Sequence, residues 1–512
     1  MGCTTYEEEK PFQRNEKRRV TNSKNKDIRK NYEFISMLGN GSFGKVRLYR
    51  DKNYKELLFA IKTLKKEGIS STQFNLLKRE VDILSNMDHP YIVKYFGIFE
   101  DDHFIHIVME YLKGHDLGKL ISLKNYTDFN ENQMEQVIHQ LLKALSFIHS
   151  KNIIHCDIKP ENILFSDKRN LFSLKLIDFG LATFSEQHKN KAGTPVYMSP
   201  EIIDGNSLYV SDIWSVGVTV YQMLTTKFPF EGKEDDNNQL LFDKIKNEPY
   251  NKEYLKNIDC SKEVIDFIDK ALQKDAKKRM TVEEALNHPW IKKYHINSLE
   301  PSLINENSIK IFINFSRKPA LQKEIYYFLA KISNENDIAK YKNIFNFFDN
   351  NNKGALSKED LKEGLEKNNI NIDDNTLDII FDGLDFHNHG IINYSEFLSA
   401  MVSSKDYNKE EKVKSVFNLL KESEENTNYI TYDSLENAAK ALNLNINKEG
   451  IKNCFKKYSG YISLEKFEKL ILDEMPESRK SEQLCEQLQF MPTIANENKL
   501  KKNSQLKRKK TS

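Results

Sequence analysis

The chain has 512 residues, with 77 Lys and Arg against 75 Asp and Glu, a formal net charge of +2. That length exceeds one hydrophobic core, so several domains are expected, and the near balance of charge gives no electrostatic reason for a nucleic-acid partner. The five cysteines show no paired spacing and no apolar run is long enough to span a bilayer, which excludes a disulfide framework and a membrane-spanning helix and points to a reducing, cytoplasmic setting.

Residues 1–31 read as a tail. It opens Met1-Gly2-Cys3-Thr4-Thr5-Tyr6. Gly2 is a candidate for myristoylation and Cys3 for palmitoylation, and two acyl chains are what stable attachment takes. Tyr6 departs from that motif and three Glu follow. A later basic stretch, Arg14 to Lys30, would favour the anionic cytoplasmic face of a membrane. An ordinary solvated tail is the competing reading.

From Tyr32 the pattern becomes strand-like. Leu38-Gly39-Asn40-Gly41-Ser42-Phe43-Gly44-Lys45-Val46 sets a Gly-rich turn between two extended runs, and glycine lets backbone N–H groups approach phosphates closely. Phe59-Ala60-Ile61-Lys62 is an apolar run ending in Lys. Leu76, Leu77, Val81 and Leu84 recur at helical spacing over Gln73 to Met87, and Glu80 falls on that helix.

His155-Cys156-Asp157-Ile158-Lys159-Pro160-Glu161-Asn162 followed by Asp178-Phe179-Gly180 is the most specific signal. Phosphoryl transfer to a hydroxyl needs a carboxylate to orient the hydroxyl and accept its proton, and oxygen ligands for Mg²⁺. Asp157 suits the first task, Asn162 and Asp178 the second. Downstream come Gly193-Thr194-Pro195, Ser199-Pro200-Glu201, Asp212-Ile213-Trp214 and Arg279.

Together, from Tyr32 to about Trp290, these runs resemble the protein kinases. The resemblance implies a bilobal α+β kinase fold over residues 32–290 and Mg²⁺ and ATP as cofactors. It implies catalytic roles for Asp157, Lys159, Lys62 and Glu80, and Mg²⁺ at Asn162 and Asp178. Nucleotide contacts are expected at Leu38, Gly39, Gly41, Gly44, Val46, Ala60, Lys62, Met109, Glu110, Leu112 and Asp116. Arg279 is expected to pair with Glu201. Cys156 stands where most kinases carry an Arg that meets an activation-loop phosphate, so phosphorylation of Thr183, Ser185 or Thr194 should be dispensable. Asp116 and Glu161 imply protein substrates with basic residues before a Ser or Thr; Gln222 replaces the Glu of strongly Arg-selective relatives.

Residues 291–337 mix Ile311, Phe312, Phe315, Leu321, Ile325, Phe328 and Leu329 with Arg317, Lys318 and Lys323. An all-α region follows over 338–475. Asp349 to Asp360 reads as a 12-residue EF-hand loop: Asp349, Asn351 and Gly354 comply, Lys353 puts an ammonium at a ligand position, and Asp360 is one methylene short of Glu. Asp385 to Glu396 keeps Asp385, Gly390, Ile392 and Glu396, but His387 and His389 replace oxygen ligands, and imidazole is a poor partner for Ca²⁺. Protonation below about pH 6.5 should weaken that loop further. Two more units, around Ile430 and Ile462, keep an apolar frame but carry Ser434 and Lys466 at the last ligand position. Residues 476–512 read as a basic tail.

This order of parts resembles the calcium-dependent protein kinases of plants and protists. There the junction occludes the kinase at rest and is captured by the EF-hand lobes with Ca²⁺; a helix packed on the kinase by its apolar face is the competing reading. Damaged loops lead to an expectation of one or two weak Ca²⁺ sites, at Asp385 and Glu396 and at Asp349, Asn351 and Asp360, in a monomer. A kinase with a vestigial, calcium-independent lobe and a pseudokinase scaffold remain the alternatives.

Overall fold

A computed structural model describes residues 28–472, apart from short stretches of which the longest are 124–129, 185–192, 233–237, 296–303, 405–409 and 422–427. Gly2, Cys3, Ser185 and the C-terminal tail lie outside the described residues.

The first lobe is a five-stranded antiparallel sheet, order β1-β2-β3-β5-β4, built from β1 (Tyr32–Gly41), β2 (Gly44–Asp51), β3 (Leu58–Lys65), β4 (Tyr95–Glu100) and β5 (Phe104–Glu110). Helix α1 (Ser71–Ser85) crosses between β3 and β4; Ser70 caps it reciprocally with Gln73, satisfying N–H groups that a helix start leaves orphaned. Its Leu77, Val81 and Leu84 stripe is buried. Side chains alternate across a strand, and the sheet uses both faces. Leu64, Ile105 and Ile107 join the core under α1, whereas Phe59, Ile61 and Val108 join a second core on the other side.

The second lobe is mainly helical. It comprises α2 (Leu117–Ser122), α3 (Glu131–Ser150), β6 (Ile153–Ile154), β7 (Ile163–Asp167), β8 (Asn170–Leu176), β9 (Thr183–Phe184), α4 (Pro200–Ile203) and α5 (Tyr209–Thr225). It continues with α6 (Gln239–Asn247), α7 (Lys262–Ala271), α8 (Val282–Leu286) and α9 (Pro289–His295). The antiparallel pair β6–β9 and the β7–β8 hairpin present the His155–Asn162 and Asp178 segments side by side. The bond between Arg279 Nη2 and Glu201 Oε2 is 3.0 Å, as the resemblance implied.

Two junction helices follow, α10 (Glu306–Ser316) and α11 (Ala320–Ile332), then four helix–loop–helix units. These are α12 (Glu335–Phe348), β10 (Ala355–Leu356) and α13 (Lys358–Lys367); α14 (Asp374–Leu384), β11 (Ile392–Asn393) and α15 (Tyr394–Val402); α16 (Glu410–Leu420), β12 (Tyr429–Thr431) and α17 (Tyr432–Ala441); and α18 (Lys448–Lys457), β13 (Tyr461–Ser463) and α19 (Leu464–Leu472). The loops pair in twos, Leu356 opposite Ile392 and Ile430 opposite Ile462. All four pairing residues are buried, so the frame survives in loops that have lost their ligands.

The junction is threaded between the two EF-hand pairs. Phe312 lies tilted against Phe397 at 5.7 Å and Phe315 edge-on to Phe386 at 5.9 Å, in the first pair. Gln322 and Tyr326 donate to the carbonyls of Leu470 and Ile471 in the second. Each fully buried Phe adds about 2–3 kcal/mol of burial free energy. The captured arrangement therefore holds here, and the apolar face of the junction is spent on the EF-hand units.

The helices from α10 onward dock on the two lobes away from the His155–Asn162 loop. Lys94 donates to the carbonyls of Ala330, Lys331 and Ser333 at the end of α11, where the helix dipole is negative. Burial pulls the Lys94 ammonium down to about 8, with Glu110 opposing. Glu335 pairs with Lys342 and lies 3.8 Å from Lys175. Burial would raise its carboxyl, but Lys342 and Lys175 outweigh it and hold it at about 2. Asp88 accepts the Ser395 N–H at 3.0 Å and hydroxyl at 2.6 Å and pairs with Lys331 at 3.1 Å.

Candidate functional site

The nucleotide-side residues fall in adjacent rows of the sheet. Gly39 lies opposite Val46, Val46 opposite Lys62, and Ala60 opposite Met109. Gly41 pairs with Gly44 at the turn. Gly44 cannot be replaced in place, because a Cβ there would sit 2.4 Å from the Thr63 carbonyl oxygen. Leu38 is exposed, while Ala60 and Leu112 are buried. Glu110 accepts the Lys94 N–H at 2.7 Å, so its carboxylate faces back toward the docked regulatory unit.

Lys62 is 3 % exposed and sits 2.6 Å from Glu80 and 3.0 Å from Asp178. Burial opposes its charge, but the two carboxylates outweigh burial and hold the ammonium above its ordinary range. The reciprocal effect keeps Asp178 below the usual carboxylate range despite its burial. Helix α1 is therefore drawn in and the Asp178 segment is turned toward the nucleotide side.

The second cluster is centred on Asp157. Its Oδ2 is 2.8 Å from Lys159 Nζ and accepts from Asn162 Nδ2 at 3.0 Å. Its Oδ1 accepts from the Thr194 hydroxyl at 2.7 Å, and Lys159 also donates to that hydroxyl at 2.7 Å. The loop is held from beneath by Asp212, which accepts the N–H groups of His155 at 3.0 Å and Cys156 at 2.9 Å. Cys156 has φ of +64°, and its thiol is buried; burial pushes it well up, so it is an uncharged packing group. Thr183 is fully buried on β9 with Arg79 donating to it at 3.4 Å. Two of the three candidate phosphorylation sites are thus already engaged as hydroxyls. Sequence reasoning placed Thr194 only at the end of the activation segment; its bond to Asp157 carried no separate sequence signal.

Asp116 caps α2, accepting the Lys119 N–H at 2.7 Å. Its Oδ1 and Glu161 Oε1 lie 3.2 and 3.4 Å from where a Gly118 Cβ would stand, so the two acids flank one point of the surface. Gln222 accepts from the Tyr197 hydroxyl at 2.6 Å.

In both loops of the first EF-hand pair a side chain at the third position reaches the last ligand. Asn351 Nδ2 donates to Asp360 at 2.9 and 3.1 Å, and His387 Nδ1 is 2.9 Å from Glu396 Oε1. Asp349 and Asp385 accept main-chain N–H groups at the loop turns. Ca²⁺ takes 6–8 oxygens; these loops retain carboxylates at the ends but have donors or nitrogens between, so the donor set suits Ca²⁺ only poorly. The expected titration of His387 near pH 6.5 is corrected: burial lowers it, but Glu324 and Glu396 outweigh burial and push it up to about 9. Glu324, on α11, was missed in the sequence; an acid set within the basic, apolar run from Ile311 to Leu329 was the available clue.

A family model for the protein kinase domain matches residues 32–291, and one for an EF-hand domain pair matches residues 338–402. Fold and site thus define a protein kinase followed by an EF-hand region. Calcium-dependent protein kinase 3 of Plasmodium berghei is 34% identical over 376 residues, 73% of this chain and 66% of the relative, so this chain spans about two thirds of its length. Calcium-dependent protein kinase 5 of Plasmodium falciparum is 32% identical over 446 residues, 85% of this chain and 76% of the relative. Calcium-dependent protein kinase 7 of Arabidopsis thaliana is 31% identical over 424 residues, 80% and 76% respectively. The chain belongs to the calcium-dependent protein kinase family, serine/threonine kinases that join EF-hands to a protein kinase domain. Among the described residues no helix is long and apolar enough to cross a membrane.

Proposed function

We propose that this chain is an active Mg²⁺·ATP-dependent serine/threonine kinase regulated by its EF-hand unit, with a weak or partial response to Ca²⁺. The observation that carries the reading is the pair of assembled clusters, Glu80–Lys62–Asp178 and Asn162–Asp157–Lys159, beside EF-hand loops in which Asn351 and His387 engage the last carboxylate. A pseudokinase scaffold would not need both.

Gly39, Gly41 and Gly44 lie over the phosphates, and Lys62, fixed by Glu80, holds the α- and β-phosphates. Leu38, Val46, Ala60, Met109, Glu110 and Leu112 frame the adenine, and Asp116 meets the ribose. Asn162 and Asp178 supply hard oxygen donors for Mg²⁺, which when bound neutralises charge on the phosphate oxygens. Asp157 orients the substrate hydroxyl. As the hydroxyl oxygen bonds to the γ-phosphorus and the bond to the leaving ADP oxygen breaks, the proton passes to Asp157, while Lys159 offsets charge on the transferring group. Asp116 and Glu161 favour Arg or Lys before the Ser or Thr. The proposed units are a tail to residue 31, the kinase over 32–290, the junction over 291–337, the EF-hand region over 338–475 and a C-terminal tail. Attachment to an anionic cytoplasmic membrane face through Gly2 and Cys3 is part of this reading, as is a monomeric state.

Kinase assays on the full chain in EGTA and in added Ca²⁺ test it. Substantial activity in EGTA with modest stimulation is expected. Strict dependence on micromolar Ca²⁺ would overturn the regulatory part, and no turnover in either condition would overturn the enzyme.

A further inference from the structure

We propose that His387, His389 and Glu396 form a site for a borderline d-block divalent cation of the Zn²⁺ class, with Glu324 of α11 orienting His387 from behind. The three side chains each offer a ligand atom, and these atoms lie within 4.8 Å of one another. His387 Nδ1 is 2.9 Å and His389 Nδ1 3.8 Å from Glu396 Oε1. Ligands of a tetrahedral ion at 2.0–2.1 Å stand about 3.3 Å apart, so the cluster needs adjustments of up to about 1.5 Å. The side chain free to make them is His389, 40 % exposed, while His387 and Glu396 are 4 % and 1 % exposed.

Two imidazoles and one carboxylate select against Ca²⁺ and for zinc-like ions. The second observation is behind the cluster. A ligating His usually gives its other ring nitrogen to a carboxylate. His387 Nε2 is 3.4 Å from Glu324 Oε1, an ion-pair distance without hydrogen-bond geometry, and Glu324 is fully buried on the junction helix. Glu324 Oε2 has no hydrogen-bond partner, while Oε1 also accepts the Asn447 N–H at 2.8 Å. The edge of Tyr327 covers His387 at 5.0 Å. Two contacts compete with the ion: Asn393 Nδ2 lies 3.0 Å from His389 Nδ1, and the Asn393 N–H donates to Glu396 Oε2 at 2.9 Å. Binding would tie the second loop to the junction helix and, through Asn447, to the second EF-hand pair.

The test is Co²⁺ absorption and Zn²⁺ calorimetry on the full-length kinase, comparing wild type with His389→Ala and Glu324→Gln. His389 is exposed, so its removal should leave the fold and basal activity unchanged. Wild type is expected to take one equivalent of Co²⁺ with the intense visible bands of a tetrahedral site. His389→Ala should lose those bands and bind Zn²⁺ at least tenfold more weakly, and Glu324→Gln should weaken it about 10–100-fold. Millimolar Ca²⁺ should not displace the ion. Absent bands, or a His389→Ala affinity within tenfold of wild type, would overturn the proposal whatever the kinase assays give.

Discussion

The catalytic loop and the EF-hand loops diverge in opposite ways from a shared starting point, a rigid frame presenting polar groups. Around Asp157 the polar groups are all kept and mutually engaged, while one framing residue, Cys156, has changed to an uncharged packing group. In the EF-hands the frame is kept, with Leu356, Ile392, Ile430 and Ile462 buried and paired, while the polar groups have changed. Apolar packing and ligand chemistry are therefore separable. A helix–loop–helix pair keeps its shape for as long as its core is filled, whatever its loops bind.

The sharpest way to break the comparison is at the base. Asp157→Asn should cost about 10²–10⁴ in kcat, since it removes the proton acceptor and half of the Lys159 pair. Lys62→Met should abolish transfer. Both variants should remain folded, Lys62→Met less stably because Glu80 and Asp178 lose their cation; a variant that keeps near-normal turnover would show the polar kinase site to be as dispensable as the loop ligands.

The next largest effect concerns docking. Glu335 is held at about 2 against an ordinary 4.5, first by Lys342 of its own helix and then by Lys175 across the docked face, which corresponds to about 3 kcal/mol at neutral pH for both partners together. Because the folded value is depressed, this stabilisation is present above about 4.5 and is lost as pH falls toward about 2. Glu335→Gln should remove it at pH 7 and flatten the acid dependence, read as the first urea-unfolding transition. An unchanged midpoint would mean that the charges on Lys175 and Lys342 are met in another way.

Calorimetry of the full chain sharpens the loop side. Ca²⁺ affinity should be poorer than the sensor range of about 10⁻⁷–10⁻⁵ M. Replacing His387 and His389 by Asp should improve it at least tenfold, because the two changes return oxygens to a loop whose frame is intact. Sub-micromolar binding by the wild type would contradict the ligand count. The smallest effects are predicted at the kinase surface. Phosphatase treatment should change activity less than twofold, because Thr194 serves as a hydroxyl and Cys156 offers no cation. Asp116→Asn should raise KM for peptides with basic residues before the Ser or Thr by about 2–5-fold, the scale of an exposed charge pair.

The kinase fold and its clusters were legible because their residues come in contiguous runs, so that His155 to Asn162 and Asp178 to Gly180 announce their own spacing. The EF-hand loops were legible for the same reason, as were their faults. What the sequence hid was whatever joins distant segments. Nothing near Lys94 signals that it caps a helix ending more than two hundred residues later. Nothing near His387 signals Glu324, and so its titration was placed too low. Helix α1 began two residues earlier than its apolar stripe suggested, because the Ser70 cap and not the stripe sets the start.

Strand β5 is a party wall. Ile105 and Ile107 belong to the room that houses α1 and the phosphate-side lysine, and Val108 to the room that houses the regulatory unit. At its end Glu110 accepts from Lys94, which in turn holds the last carbonyls of α11. Glu110 and Lys94 thus tie the end of β5 to the regulatory unit, and lifting that unit would free the stretch proposed to frame the adenine without touching a residue of the phosphoryl-transfer site.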